Sequence, residues 1–262
     1  MRSTDPRRHV PATGHAQREP ELRLYGVNAC LAAFAARPHD LRKVYLSEAR
    51  LPRLREVLAH CVRARLGYRM VEEDDLRRLA ASSHHEGVVF DMRPPQVPTL
   101  GQLLQSTAGT NASLLLWLDG VGNPHNLGAV LRSAAHFGAA AVLLPPGSGL
   151  ALSGAAARVA EGGAEAVPLI RLADADAAQQ QLRAAGYRLA ATVPRGGQNL
   201  FECELAAKTV LIFGAETSGI GANLLQAASL LVGIPGSGAV ESLNISTAAA
   251  VCLAEWRRRH PW

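Results

Sequence analysis

Short apolar runs alternate with stretches of helical periodicity along most of this chain. Residues 114–118 and 209–213 are apolar on both faces, which is how parallel strands covered by helices read. Further strands are predicted at 140–144, 167–170, 188–193 and 230–234. Helices are predicted at 127–137, 154–161, 174–185, 222–227 and 244–258. Such alternation builds an open parallel sheet with helices on its faces. Residues 22–92 repeat the alternation on a smaller scale. Leu51, Leu54, Val57, Leu58 and Cys61 recur at helical spacing, so 51–65 is an amphipathic helix. Helices at 26–36 and 74–81 and short strands at 43–46, 68–71 and 87–90 complete a small α/β/α sandwich.

Between these units, 93–111 opens on Pro94, Pro95 and Pro98 and closes on small polar residues. It reads as a linker, with one short helix at 100–105. Residues 1–21 are poor in aliphatics and hold Pro6, Pro11 and Pro20 among arginines and histidines. They are expected to form a disordered basic leader. The expected division is therefore 1–21, 22–92, 93–111 and 112–262.

The 48% hydrophobic content of these 262 residues is ample for a folded core, yet no apolar run is long and uncharged enough to span a bilayer. No signal-peptide core opens the chain, so a cytoplasmic protein with no membrane partner is expected. Cys30, Cys61, Cys203 and Cys252 have no paired spacing and read as buried thiols, with no metal or disulfide. Charge is unevenly placed. Residues 1–100 carry 17 Lys and Arg against 12 Asp and Glu, whereas 101–262 carry ten of each. The net +5 thus lies wholly upstream and favours a polyanion-binding N-terminal unit. His84-His85-Glu86 suggests a metal only superficially, since neighbours in an extended segment point to opposite faces. RNA contact or plain surface is the expectation there.

Three distant segments carry chemistry. They are Asp119-Gly-Val-Gly-Asn-Pro-His-Asn-Leu-Gly-Ala-Val-Leu-Arg132, Phe213-Gly-Ala-Glu-Thr-Ser-Gly219 and Ile234-Pro-Gly-Ser-Gly-Ala-Val-Glu-Ser-Leu-Asn-Ile-Ser246. Each follows an apolar strand and sets Gly and polar residues where that strand ends. Ligands of open α/β sheets bind at the carboxyl ends of strands, so three such loops imply one composite site. No phosphate-loop or dinucleotide fingerprint is present, which argues against an NTPase or an ordinary dehydrogenase.

These residues resemble the three motifs of the SpoU/TrmH group of RNA ribose 2′-O-methyltransferases, within the SPOUT class. The first has the spacing Asn126-x-Gly-x-x-x-Arg132 followed by Ser133-Ala134. The second is Gly214-x-Glu216-x-x-Gly219. The third is Ile234-Pro235 with Ser242-Leu-Asn-Ile-Ser246. Residues 158–170 also look like the family, and the resemblance covers all of 112–262. Tyr25-Gly-Val-Asn28 and His85-Glu-Gly-Val88 resemble, more loosely, the ribosomal-protein-like substrate-binding domain of some members.

The resemblance implies an α/β fold whose C-terminal parallel-sheet domain is a trefoil knot, preceded by the small α/β/α domain. It implies S-adenosyl-L-methionine as cofactor and RNA as substrate, ribosomal RNA before transfer RNA. The rival expectation is a catalytically silent RNA-binding or ribosome-assembly protein. Arg132 is implied as the catalytic centre, with Asn126, Glu216, Ser242 and Asn244 around it. Thr192, Gly214, Glu216, Ile234, Gly236 and Leu243 are implied to hold the cofactor, largely through backbone groups. Two readings of Arg132 stand. In one it holds the target phosphate and the developing alkoxide while phosphate or water takes the proton, which the persistent protonation of a guanidinium favours. In the other a buried site depresses its pKa so that it acts as base, as the family proposal includes. Glu216 is expected to pair with Arg132 or a helix N-terminus. Ser242 is expected to cap the last helix, to lie near Arg132 and the target ribose, or to do both. Gly236 stands where many members have Met, which opens the cofactor or substrate wall. The family also implies a homodimer, and the apolar residues of 244–256 point to that helix as its interface. Arg257-Arg-Arg259 suits either the dipole of that helix or RNA.

Overall fold

A computed structural model describes residues 20–262, and the greater part of the expected leader lies outside them. The first unit is a four-stranded sheet in the order β1-β4-β2-β3, made of β1 (Leu22–Tyr25), β2 (Leu41–Leu46), β3 (Gly67–Met70) and β4 (Val88–Met92). β4 is buried throughout and pairs antiparallel with β1 and β2. Helices α1 (Val27–Ala36) and α2 (Arg55–Ala64) cover one face, burying Ala29, Ala33, Val57 and Cys61 against Leu24, Val44 and Phe90. On the other face α3 (Glu73–Ala80) sets Leu76 against Tyr25 and Val89. The α2 pattern extends to Leu51, but 51–54 is a turn and the helix begins at Arg55.

The stretch expected as a linker divides in two. Residues 93–99 cross between the units. Next, α4 (Leu100–Ser106) starts on a capping box, Thr99 with Gln102, and buries Leu100 and Leu103 in the second unit.

The second unit is a seven-stranded sheet, all of whose pairings are parallel, in the order β7-β6-β5-β10-β8-β11-β9. Its central strands are β5 (Ser113–Asp119) and β10 (Lys208–Gly214), joined in register from Lys208–Ser113 to Gly214–Asp119. Both are almost wholly buried, as strands apolar on both faces must be. Outward lie β6 (Ala141–Leu144) and β7 (Leu169–Arg171) on one side, and β8 (Arg188–Thr192), β11 (Leu230–Gly233) and the two-residue β9 (Gln198–Asn199) on the other. One face carries α5 (Pro124–Phe137), α6 (Gly154–Ala160), α7 (Gly163–Ala166) and α10 (Ile245–Arg259). The other carries α4, α8 (Ala175–Ala184) and α9 (Ala222–Ala227). All four cysteines are buried and free. Among the described residues no helix is long and apolar enough to cross a membrane, and no group of His, Cys, Asp and Glu could hold a metal ion.

Candidate functional site

The three motif loops meet because β5, β10 and β11 point the same way and end at the same edge of the sheet. After β5 the chain turns through Gly120, and Asn123 caps α5 by accepting the His125 N–H at 2.8 Å, with Pro124 at the first helical position. Asn126 is thereby fixed in the first turn. After β10, residues 215–219 fold back on themselves, with Ala215 and Gly219 exchanging N–H···O bonds of 3.1 and 2.9 Å. A side chain at Gly214 would lie 2.2 Å from the Gly219 carbonyl carbon, so this turn requires glycine there. The turn holds Glu216 above the sheet edge. After β11, residues 234–243 run without regular structure to Asn244, whose side chain accepts the Ser246 N–H at 2.9 Å and caps α10.

One polar cluster results. Asn126 Nδ2 donates to Glu216 Oε1 at 3.3 Å, and Asn244 Nδ2 donates to the same oxygen at 3.3 Å and to Asn126 Oδ1 at 3.1 Å. Asp119 adds a further tie, its Oδ2 accepting the Gly221 N–H at 2.7 Å and pinning the second loop to the first. A cleft of about 150 Å³ opens between these loops, lined by Val121, Asn123, Asn126, Glu216, Thr217 and Ile245 among others.

Arg132 sits six residues beyond Asn126 on α5, about 9 Å along the helix axis. It is exposed and forms no hydrogen bond or ion pair among the described residues. Glu216 therefore pairs with the two asparagines and not with Arg132. Ser242 is exposed and outside the cluster, and Asn244, not Ser242, caps the last helix. The reason is spacing: a capping side chain must reach the N–H two or three residues on, which here belongs to Ser246.

The residues implied for the cofactor fall at adjoining strand ends. Thr192 closes β8 and donates its hydroxyl to the Ile212 carbonyl at 2.8 Å. Gly214 closes β10, its neighbour in the sheet, and Ile234 follows β11 on the other side of β8. Outside helices and strands, no backbone-to-backbone hydrogen bond engages 234–243 among the described residues. Apart from the Ala239 N–H, which donates to the Ser237 hydroxyl at 3.3 Å, its amides and carbonyls are thus available to a ligand. A side chain at Gly236 would meet nothing within 4 Å, and Leu243 is exposed. This open segment of unpaired backbone suits a nucleoside held by main-chain groups. Glu216 faces Asn126 and Asn244 instead.

Asp119 and Asn123 carry structural parts that sequence reasoning did not assign, although an Asx residue before Pro is a recognisable helix start. His85 departs from the surface expected of it. It is buried, and its Nδ1 accepts the Gly87 N–H at 3.1 Å. The terminal arginines are engaged within the chain. Arg257 donates to the Phe137 carbonyl, and Arg258 and Arg259 to Glu255.

Comparison with known proteins finds relatives in both sequence and fold. The profile described as SpoU rRNA Methylase family matches residues 113–254, and that described as RNA 2′-O ribose methyltransferase substrate binding matches 23–98. The chain is 38% identical over 250 residues to the uncharacterized tRNA/rRNA methyltransferase YfiF of Escherichia coli O157:H7, covering 95% of this chain and 72% of that protein. It is 34% identical over 237 residues to the 23S rRNA (guanosine-2′-O-)-methyltransferase RlmB of Pseudomonas putida, covering 89% and 94%. Among solved structures, the AdoMet-bound rRNA methyltransferase from Sinorhizobium meliloti superposes with a TM-score of 0.76 at 25% identity, over 91% of this chain and 87% of that one.

Proposed function

The chain belongs to the SpoU rRNA methylase family, and on that premise we propose that it methylates a ribose 2′-hydroxyl of ribosomal RNA with S-adenosylmethionine as methyl donor. The observation that carries the reading is the meeting of Asn126, Glu216 and Asn244. They come from three loops far apart in sequence and share two carboxylate-to-amide bonds and one amide-to-amide bond. A cluster at strand ends beside unpaired backbone is a ligand site, whereas a purely structural polar cluster has no need of the open 234–243 segment.

S-adenosylmethionine, when bound, supplies an electrophilic methyl. The chain's own residues do the rest. Thr192, Gly214, Ile234, Gly236 and Leu243 form the wall that holds the nucleoside and its tail. A ribose 2′-hydroxyl is a weak nucleophile and loses its proton as it attacks. Arg132, unpaired among the described residues, holds the adjoining phosphate and stabilises the alkoxide as it develops. The proton passes to a phosphate oxygen or water. Glu216 fixes the amides of Asn126 and Asn244, so the helix that carries Arg132 keeps one orientation to the third loop. Ser242 stands on that loop near the target ribose.

Residues 22–92 are the RNA-holding unit in this reading and 112–262 the catalytic one. The catalytic unit is knotted, the protein works in the cytoplasm, and it is a homodimer. The test is transfer of tritiated methyl to ribosomal RNA lacking the modification, followed by mapping of 2′-O-methylated nucleotides. Label at one ribosomal position is expected. Label on transfer RNA alone would move the substrate class. Binding of S-adenosylmethionine by calorimetry with no transfer to any RNA would make the protein a silent RNA binder.

A further inference from the structure

Residues 158–165 lie between the first and second motifs, and none of them belongs to the cluster above. Every charged side chain in this segment reaches into the N-terminal unit. Arg158 Nη1 lies 3.6 Å from a Glu86 carboxylate oxygen. Asn28 Nδ2 donates to Glu161 at 2.6 Å. Arg37 donates through Nε and Nη2 to both oxygens of Glu165, at 2.8 and 3.0 Å. This last pair is nearly enclosed, with side chains 9% and 11% exposed. The polar contacts surround an apolar one. Ala157 and Leu152 pack into the core of the first sheet, and Ala155 packs beside Tyr25 and Leu76. At Gly154 a side chain would come within 2.7 Å of both the Arg23 carbonyl and the Tyr25 ring.

The same segment backs onto the helix that carries Arg132. A side chain at Gly163 would lie 2.9 Å from the Arg132 Cα and 2.7 Å from the Leu131 carbonyl. The N-terminal unit, α6–α7 and the backbone of Arg132 therefore form one packed series with no gap. Units of a chain joined by a short extended crossing ordinarily move relative to each other unless their interface is large or specifically fixed. Residues 93–99 are such a crossing, and bidentate Arg–carboxylate geometry is a device that fixes orientation.

We propose that 158–165 is a socket that sets the angle between the N-terminal unit and α5, with Glu161 and Glu165 as positioning residues that select which nucleotide is presented to Arg132. The inference rests on the reading that residues 22–92 hold the RNA and 112–262 methylate it. RNA anchored on one unit reaches the other at a place fixed by their mutual angle. A displacement of about 1 Å at a reacting centre costs about a hundredfold in rate, so an angular change at the socket alters both the rate and the choice of nucleotide.

The test uses the full chain. Arg37→Met strips the enclosed Glu165 of its partner, and Glu165→Met leaves Arg37 with only Asp40 and the Arg93 carbonyl of its own unit, whereas the double variant removes the charge pair that spans the two units. Each single variant is expected to bind S-adenosylmethionine within about twofold of wild type, to lose roughly tenfold to a hundredfold in kcat/KM on ribosomal RNA, and to spread methylation to neighbouring nucleotides. The double variant is expected to regain stability lost to a stranded charge but to keep the spread of methylation, because the pair that fixes the angle is absent. Wild-type nucleotide choice in the double variant would overturn the socket. Folded single variants with wild-type kcat/KM and one modified nucleotide would overturn the socket. Should the single variants not fold, Glu161→Ala and Asn28→Ala each remove an exposed contact and must show the same spread. If they do not, the proposal is lost. A second readout needs no activity. Spin labels at exposed positions 62 and 180 should give one narrow distance distribution in wild type and a broad one in Glu165→Met. A broad wild-type distribution, or a narrow one in both, refutes a fixed angle. Failure of wild type to methylate any RNA, with the narrow distribution intact, would count against the function and not the socket.

Discussion

Asn244 does two things with one side chain. Its Oδ1 caps α10, and its Nδ2 donates to Asn126 and Glu216. The two roles separate by substitution. Asn244→Ser keeps a good cap but loses the amide donor, so stability should stay within about 0.5 kcal/mol of wild type. Methyl transfer should nevertheless fall at least tenfold. Asn244→Ala should lose the same activity and also about 1 kcal/mol of stability by denaturant titration. Equal activity in Asn244→Ser and wild type would remove the cluster from the mechanism. Arg132→Ala should leave folding and S-adenosylmethionine affinity unchanged while methyl transfer falls by roughly two to four orders of magnitude. Arg132→Lys should not recover it, because an ammonium cannot reproduce the planar guanidinium fork. Near-wild-type turnover in either would end the assignment. At this scale the sequence was most legible where residue type and spacing were both unusual, as in Asn126, Glu216 and Asn244. It was least legible where a polar group turned inward. Nothing local distinguishes His85, which is buried, from His84, which is exposed.

Elements were legible in proportion to how locally they are determined. β5 and β10 were readable because strands covered on both faces are apolar at every position. β1 was not anticipated, since its four residues gain their ladder hydrogen bonds from β4, seventy positions on by the Leu22–Met92 register. α7 is a single turn, Gly163–Ala166, too short for any period to show. α10 was readable as a helix, but its apolar surplus pointed outward in expectation. Ile245, Ala249, Cys252, Leu253 and Trp256 are buried in the unit's own core, while Ala248 and Val251 are only partly buried against it. The last turn of α10 makes a pH prediction. Hydrogen bonds from Arg258 and then Arg259 hold the Glu255 carboxyl down at about 2, from an ordinary 4.5. A carboxylate depressed in the folded state stabilises above its unfolded pKa, and that stabilisation is lost as pH falls through the folded value. Arg259 also donates to the carbonyls of Leu200 and Cys203, so the loss loosens the contact of α10 with that turn. Thermal unfolding of wild type should decline more steeply between pH 4.5 and 2 than that of Glu255→Gln. Parallel curves would show that the carboxylate does not anchor the helix.

For the whole molecule, the unanswered element of the fold is what covers its remaining apolar surface. The two units bury their own cores, and α10, expected to supply a subunit interface, is largely satisfied within the chain. Exposed large apolar residues lie on both units, Val62, Tyr68 and Met70 on the first among them, and three stand near the third motif loop. Leu231 on β11 is 37% exposed, and Val240 and Leu243 in the segment that follows are 71% and 43% exposed. They border the same open backbone proposed to hold the cofactor. Large side chains left in water beside a ligand-binding segment mark an interaction surface. In the proposed homodimer a second copy of this chain covers them. A two-fold contact there would order 234–243 from outside, since that stretch has almost no hydrogen bonds of its own to hold it. Light scattering at micromolar concentration should therefore give twice the 27.7 kDa of one chain. Leu231→Glu combined with Val240→Glu should give folded monomers, because burying two carboxylates without partners costs more than such an interface supplies. Those monomers should bind S-adenosylmethionine more weakly, as the segment would have to be ordered at the expense of binding. Monomers with undiminished affinity would leave the dimer standing and remove its link to the site. A wild-type protein that is both monomeric and active would remove the dimer itself, and 234–243 would then have to be ordered by cofactor and RNA alone.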